Sequence, residues 1–249
     1  MTDERSNDDD SPVISDPPGA LSEGGPAGAR AWLACVLAGI AAGLIGFGLG
    51  EAGHDAYKPA AVKRQMGNTT TVRPSPEAVR HAFVLNTSLA HAGWGAALGI
   101  ALGVAGGLST KRKGRPLTGA VVGMVAGGLA GAILPMFVLP VVFHARSEWE
   151  VDSMVAGLPA LLAIWGVTAA AAALGFAIGG RRPISQTVAF AILGAIAGAV
   201  VYLVVATLLD PLAETDQPIA LVWRARLLAR LSPSLGAAAL LATVRPAAA

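Results

Sequence analysis

The sequence predicts an all-α fold, a polytopic transmembrane helix bundle of five spans, with a sixth span as the alternative. Apolar residues make up 54% of the 249-residue chain and charged residues only 14%, whereas about a quarter of a typical soluble domain is charged. Surface helices of a soluble protein need a polar face. Four stretches of 27 to 30 residues hold no Asp, Glu, Lys or Arg: His81–Thr110, Pro116–Ala145, Ser153–Gly180 and Pro183–Leu209.

The first 30 residues differ in composition from the rest of the chain. Residues 1–30 hold seven acidic and two basic side chains, with Pro and Gly interspersed. Such a segment buries too little apolar area to offset chain entropy, so we expect a disordered acidic tail. The transmembrane helical domain then covers residues 31–249.

Each apolar stretch is long enough for a membrane helix, because about 20 apolar residues cross the core of a bilayer. Residues 51–80 form a polar connection rich in turn formers. Near its end, Ser75, Pro76 and Glu77 form a helix-start pattern, so we expect the second helix to begin near Pro76. The predicted spans are about 31–50, 82–108, 117–143, 154–179 and 186–209.

Residues 219–244 are apolar but carry Arg224, Arg226 and Arg230. Insertion scales assign about 2.5–3.5 kcal/mol to each Arg at the centre of a span. We therefore expect an interfacial helix followed by a short, partly inserted segment. A sixth span that reaches Arg245 is the alternative.

Charges in the short loops predict the orientation of the bundle. The links 111–115 and 181–182 are basic, whereas 148–152 and 210–216 are mainly acidic. Lys and Arg favour cytoplasmic loops. We expect a multi-pass protein of a bacterial inner (plasma) membrane with a cytoplasmic N-terminus, although basic residues outnumber acidic ones in the connection 51–80.

Glycine recurs at every fourth position along the second and third spans. Residues four apart share one helix face, so each series forms a groove where another backbone packs closely. This glycine-zipper pattern favours packing of the second helix on the third, and an interface between copies is the alternative. The two series are Gly95, Gly99, Gly103, Gly107 and Gly119, Gly123, Gly127, Gly131.

A duplicated helical hairpin is also indicated. Pro116 and Pro183 each follow a basic turn, and Ala-Gly-Ala follows each after fifteen residues, centred on Gly131 and Gly198. The preceding helices carry Trp-Gly at 94–95 and at 165–166.

Polar side chains inside the predicted spans are few. His91 is the single ionisable residue in the five spans, and Asn86 lies near it. Ion-coupled carriers and proton relays need intramembrane charges, so this pattern argues against them. Hydrogen bonds within or between helices are the favoured role for Asn86 and His91.

Four residues are candidates for a metal site in the outer loops: Glu51, His54, His81 and His144. Carboxylate and imidazole one helical turn apart, as in Glu51 and His54, suit a divalent metal or a proton-transfer pair. The pattern is no complete metal motif, and solvated loop charges are the favoured interpretation.

Several classes find no support in the sequence. Aromatic residues make up 5% of the chain and no basic cluster accompanies them, so we expect no nucleic acid partner. The single Cys35 excludes an intramolecular disulfide. The chain lacks both a phosphate-binding loop motif and a nucleophile elbow, and we expect no cofactor.

Three features resemble a group of uncharacterised bacterial multi-pass membrane proteins: Gly50-Glu51 at the end of the first span, the helix from Trp94 to Gly107, and Arg226-Leu-Leu-Ala-Arg230. No function is carried over from this resemblance. We expect a non-enzymatic structural or accessory membrane protein in the lipid bilayer, which associates with itself or with a membrane-protein partner. The alternatives are a passive channel or facilitator for a small solute and, third, a metal-dependent enzyme at the outer face.

Overall fold

The computed structural model describes residues 26–66, 69–109, 114–209 and 219–245. This part of the chain folds into a helix bundle with one β-hairpin, so the all-α fold class is confirmed. Residues 1–25 of the predicted tail lie outside the described residues, and residues 26–30 belong to the first helix. The elements are α1 (Pro26–Ala52), β1 (Ala61–Met66), β2 (Thr69–Pro74), α2 (Pro76–Leu108), α3 (Arg115–Glu148), α4 (Ser153–Gly180), α5 (Ile184–Leu209) and α6 (Trp223–Leu241).

Helices α1 to α5 are long and apolar enough to cross a membrane, and each contains one of the predicted spans. α2 and α3, with 33 and 34 residues, are about 50 Å long and exceed the bilayer core of about 30 Å. Where α1 ends and α2 begins, the chain forms the β-hairpin, and we call this the hairpin end of the bundle. The opposite end, with the links from α2 to α3 and from α4 to α5, is the turn end.

Local sequence explains where the long helices begin. Ser75 caps α2, because its Oγ accepts a hydrogen bond from the Ala78 amide at 3.1 Å, and Pro76 occupies the first turn. This confirms the predicted start. Asp152 caps α4 in the same way, accepting from the Met154 amide at 2.8 Å. Both caps satisfy amides that have no partner inside the helix.

The β-hairpin was not predicted, since residues 51–80 were interpreted as a polar connection. β1 pairs antiparallel with β2, from Ala61 opposite Pro74 to Met66 opposite Thr69. The strands have β-branched residues such as Val62 and Val72, which favour extended structure. Those two side chains are exposed. The hairpin therefore lacks the buried apolar face by which a strand is recognised in a sequence.

The predicted glycine series lie against each other at the contact between α2 and α3. The helices run antiparallel there, and a Cβ atom built on a glycine of α2 would overlap the carbonyl group of the glycine opposite. The opposed pairs are Gly95–Gly127, Gly99–Gly123 and Gly103–Gly119. At the ends of the two series, Gly107 lies against Pro116 and Gly131 against His91. Backbone thus packs on backbone within one chain, the contact that small residues permit in membranes.

Helix α4 packs against the same pair of helices through two more glycines. A Cβ on Gly175 would lie 2.7 Å from Cα of Gly123, and one on Gly179 would lie 2.9 Å from the carbonyl oxygen of Gly103. Real Cβ atoms essentially never approach other atoms this closely. Helices α2, α3 and α4 therefore form one tightly packed unit.

Helix α6 covers residues for which an interfacial helix and a separate short segment were expected. It is one helix, continuous through Pro233, and it runs antiparallel to α5. Gly194 and Gly198 at the middle of α5 lie against Gly236 and Ser232 of α6. On its other side, α6 packs on α1, where a Cβ on Gly39 would lie 2.9 Å from the Ser234 carbonyl oxygen.

The proposed repeat is not matched by equivalent contacts. Gly131 lies against His91 on the preceding helix, whereas Gly198 lies against Ser232 on the following one. Trp94 and Trp165 are both buried, but their neighbours come from α6 and α5 respectively. The duplicated hairpin therefore remains a prediction from sequence.

Candidate functional site

A polar cluster lies near the hairpin end, where α1, α2 and α6 meet. Its first part is an ion pair between the end of α1 and the start of α6. Nε of Arg226 donates to Oε1 of Glu51 at 2.5 Å, and Nη2 donates to Oε2 at 2.9 Å. Such a two-point pair fixes orientation as well as distance. Nη1 of Arg226 donates to the carbonyl oxygens of Ala220 and Leu221 at 3.1 and 2.7 Å, so all three guanidinium nitrogens have acceptors.

Arg230 lies one turn further along α6 and is 6% exposed. Its guanidinium carbon is 5.6 Å from the ring centroid of Trp94, within the range of a cation–π interaction. Trp94 donates from Nε1 to Oγ of Ser234 at 2.9 Å, and Ser234 donates to the Arg230 carbonyl oxygen at 2.7 Å. Among the described residues, Nη1 of Arg230 has no hydrogen-bond partner.

His91 lies beside this cluster on α2 and is fully buried. Nδ1 is 2.9 Å from the Thr87 carbonyl oxygen, and because a carbonyl only accepts, Nδ1 is the nitrogen that donates. The ring meets Trp94 edge-on at 6.2 Å between centroids. The bond to Thr87 is within the helix itself, one of the two roles expected from the sequence. Nε2 has no partner in the described part of the chain.

A small cavity of about 20 Å³ adjoins the ion pair. Its charged or titratable lining consists of Glu51, His54, Arg226 and Arg230, and its apolar lining includes Phe47 and Ala90. Both oxygens of Glu51 already accept from Arg226. The cavity is therefore lined by two guanidinium groups and one carboxylate, together with the side chain of His54.

The four candidate metal residues are divided between two cavities. Glu51 and His54 line the cavity just described, whereas His81 and His144 line a groove of about 910 Å³ between the start of α2 and the end of α3. In the described ranges, no three His, Cys, Asp or Glu residues are close enough to hold a metal ion. The structure does not bring the four residues together.

Asn86 lies apart from His91, although the sequence grouped the two. Its side-chain oxygen accepts from the Tyr57 amide at 2.9 Å, and its Nδ2 donates to the Tyr57 carbonyl oxygen at 3.0 Å. Asn86 therefore ties the segment after α1 to the first part of α2. This is a structural role at the hairpin end of the bundle.

A second buried arginine lies at the turn end. Arg182 is 8% exposed, and its guanidinium carbon lies 4.6 Å from the ring centroid of Phe176. Burial lowers the pKa of Arg182, because desolvation disfavours the charged form. In the basic link 181–182, which was one basis for the predicted orientation, Arg181 is therefore exposed and Arg182 is buried.

Sequence reasoning did not identify Arg226, Arg230, Trp94 and Ser234 as one cluster. A usable signal was present, since Arg226 and Arg230 are four residues apart and so share one helix face. Glu51 ends the first apolar stretch and is the nearest acid to any predicted span in that part of the chain. What the sequence lacks is the information that α6 folds back along α1.

Comparison with protein-family models, with curated proteins and with solved structures finds no match for this chain. The class of the molecule therefore rests on its own architecture. Five helices of sufficient length and apolarity define a multi-pass helical membrane protein.

Proposed function

We propose that this chain is a non-enzymatic structural or accessory membrane protein, associated with itself or with another membrane protein. The observation that carries this proposal is the filled interior of the bundle. Leu98, Leu102, Leu161, Ile164 and Phe176 of α2 and α4 are all 0% exposed. An open channel needs a hydrated path lined by polar groups, and these side chains occupy the space between the helices instead.

The proposal is tested by solute flux. The purified chain is reconstituted into vesicles, and shrinkage after an osmotic step is followed by light scattering with urea and with glycerol. We expect the rates of protein-free vesicles of the same lipid composition. Rates that rise in proportion to the protein content would overturn the proposal in favour of a passive facilitator.

We also propose a cytoplasmic N-terminus in a bacterial inner membrane, supported by the basic links at the turn end. The test uses a chain in which Cys35 is replaced by Ala. Ser147→Cys, at the hairpin end, should react with a membrane-impermeant maleimide in intact cells, and Ser185→Cys, at the turn end, only after permeabilisation. The opposite result would reverse the orientation.

We propose further that α6 crosses the membrane as a sixth span. With 19 residues it is about 28 Å long, close to the thickness of the bilayer core, and it lies against the middle of α5. In the same assay, Thr243→Cys should then behave like Ser185→Cys. Labelling of Thr243→Cys in intact cells would show that α6 does not cross.

A further inference from the structure

The groove between the start of α2 and the end of α3 has room for about 910 Å³. The close backbone contact of these helices ends where Gly131 lies against His91. Beyond that point, α2 holds no glycine over residues 76–92 and α3 holds none over residues 132–148. Larger side chains therefore keep the two backbones apart, and Phe83 and Phe143 meet edge-on across the space, with 6.0 Å between ring centroids.

The lining of this groove changes from apolar to charged along its length. The apolar end lies inside the predicted spans 82–108 and 117–143 and is lined by Val84, Leu85, Met136, Pro140 and Phe143. The charged end lies beyond those spans, where the charged and titratable lining residues are Glu77, Arg80, His81, His144 and Glu148. From Met136 to Glu148, α3 advances about 18 Å. If α2 and α3 cross the bilayer, the groove therefore spans the level where lipid tails give way to headgroups.

The charged end presents both signs of charge without internal pairing. Within the described ranges, neither the carboxylates of Glu77 and Glu148 nor the guanidinium of Arg80 belongs to an ion pair. Glu77 and Arg80 are three residues apart and so share one face of α2. The guanidinium carbon of Arg80 lies 5.8 Å from the ring centroid of Phe143, so the cation stands next to the apolar end.

We propose that this groove binds one phosphatidylethanolamine molecule from the bilayer. Arg80 binds its phosphate, because a guanidinium presents a planar fork that matches phosphate oxygens. Glu77 and Glu148 accept from its primary ammonium, a group with three N–H donors. The acyl chains begin against the apolar end, and the volume lies in the range of about 300–1,000 Å³ typical of small-molecule sites.

Charge complementarity selects this headgroup over an anionic one. Two carboxylates stand against one guanidinium at the charged end, so a headgroup that carries only negative charge would meet an excess of its own sign. A headgroup with both a phosphate and an ammonium pairs with both. The site goes beyond the structural role proposed above and does not depend on it.

The experiment compares three lipids on the full chain in an uncharged detergent. Phosphatidylethanolamine, phosphatidylcholine and phosphatidylglycerol with the same short acyl chains are titrated at pH 8, above the range in which histidine ordinarily titrates. Binding is followed by calorimetry and by the shift in melting temperature. We expect saturation at one phosphatidylethanolamine per chain, and at least tenfold weaker binding of the other two, because a quaternary ammonium has no N–H donor and phosphatidylglycerol has no cation. The proposal is overturned if phosphatidylethanolamine does not saturate or if the three lipids bind equally.

Two charge variants should change the lipid preference in different ways. Arg80→Met should weaken binding of all three lipids at least tenfold, since all carry the phosphate. Glu148→Gln should weaken phosphatidylethanolamine severalfold and leave phosphatidylcholine within twofold of the parent. Arg146→Met and Glu150→Gln are the matched controls at exposed positions outside the groove, and they should bind like the parent. Equal effects of a variant and its control would overturn the assignment of these residues.

A third variant tests the apolar end independently of charge. Met136→Trp fills the groove and should weaken phosphatidylethanolamine at least tenfold, whereas Phe137→Trp, at a neighbouring position that is 71% exposed and outside the groove, should not. Elution volume and near-UV circular dichroism report whether each variant is folded. Unchanged binding by folded Met136→Trp would overturn the proposal. So would a parent chain that elutes as a dimer and becomes monomeric on Met136→Trp, because the groove would then hold a second copy of the chain.

Discussion

Alanine in place of Gly99 should test whether the contact between α2 and α3 depends on glycine. A Cβ at this position would overlap the carbonyl group of Gly123 and lie 2.7 Å from the Met124 amide nitrogen. Gly48 on α1 provides the matched control, because a Cβ there has no atom within 4 Å. Both substitutions add one methyl group to a residue inside a helix.

The expected magnitude follows from comparing the two variants. Ala is favoured over Gly in a helix by up to about 1 kcal/mol, and both variants gain this contribution. At Gly99 the nitrogen of Met124 would lie 2.7 Å away and the carbonyl group of Gly123 closer still, so the two backbones must separate by more than the 0.7 Å that restores the 3.4 Å of ordinary contact to that nitrogen. Overpacking of this kind costs about 1–3 kcal/mol, so the free energies of unfolding of the two variants should differ by that amount.

The assay is reversible unfolding in mixed micelles, followed by helical circular dichroism as the fraction of denaturing detergent rises. Gly48→Ala should unfold at or above the parent midpoint, and Gly99→Ala clearly below it. Equal midpoints for the two alanine variants would refute the argument, because the close approach of the two helices would then contribute nothing to stability.

Three further predictions concern the hairpin end. Glu51→Gln leaves Arg226 without its carboxylate and should destabilise the chain by about 1–3 kcal/mol. This is below the range for fully buried pairs because the side chains of Arg226 and Glu51 are 15% and 32% exposed. The double variant Glu51→Gln/Arg226→Met should recover part of the lost stability, which is measured by hydrogen exchange within residues 219–245. Trp94→Phe and Ser234→Ala both remove the buried hydrogen bond between these two side chains, which contributes about 1 kcal/mol, and Ser234→Ala also removes the bond to the Arg230 carbonyl oxygen. Because the two variants share one bond, their unfolding energies should be non-additive in the double variant, and strict additivity would argue against that bond. Asn86→Leu should accelerate hydrogen exchange of the Tyr57 amide, which donates to Asn86. The Ala78 amide, which donates to Ser75, is the control and should keep its exchange rate. Unchanged exchange at Tyr57 would contradict the assigned contact.

The helices of this fold could be predicted because the signals are local. An uncharged stretch is a property of neighbouring residues, and so is the helix start at Ser75 and Pro76, which the cap to Ala78 confirms. The β-hairpin was missed for the converse reason. Its strands are short, and Val62 and Val72 on them are exposed. The hairpin sequence therefore lacks the alternation of apolar and polar residues that marks a half-buried strand.

The candidate site could not be predicted because it depends on which helices become neighbours. Glu51 and Arg226 are 175 residues apart, and Trp94 is 140 residues from Ser234. Each of these residues looked like an isolated feature in the sequence. Spacing on one helix can place Arg226 and Arg230 on one face, but it does not tell which element packs there.

The three arginines of α6 lie in three different environments in the folded chain. An insertion penalty applies to an arginine on an isolated helix surrounded by lipid. In the folded chain, Arg224 is exposed near the start of α6, Arg226 is held by Glu51, and Arg230 packs on Trp94 inside the bundle. Two of the three guanidinium groups therefore have partners within the bundle, while Gly194 and Gly198 of α5 let α6 lie close alongside. Two of the three arginines that argued against a crossing from the sequence, Arg226 and Arg230, contact Glu51 of α1 and Trp94 of α2 in the folded chain.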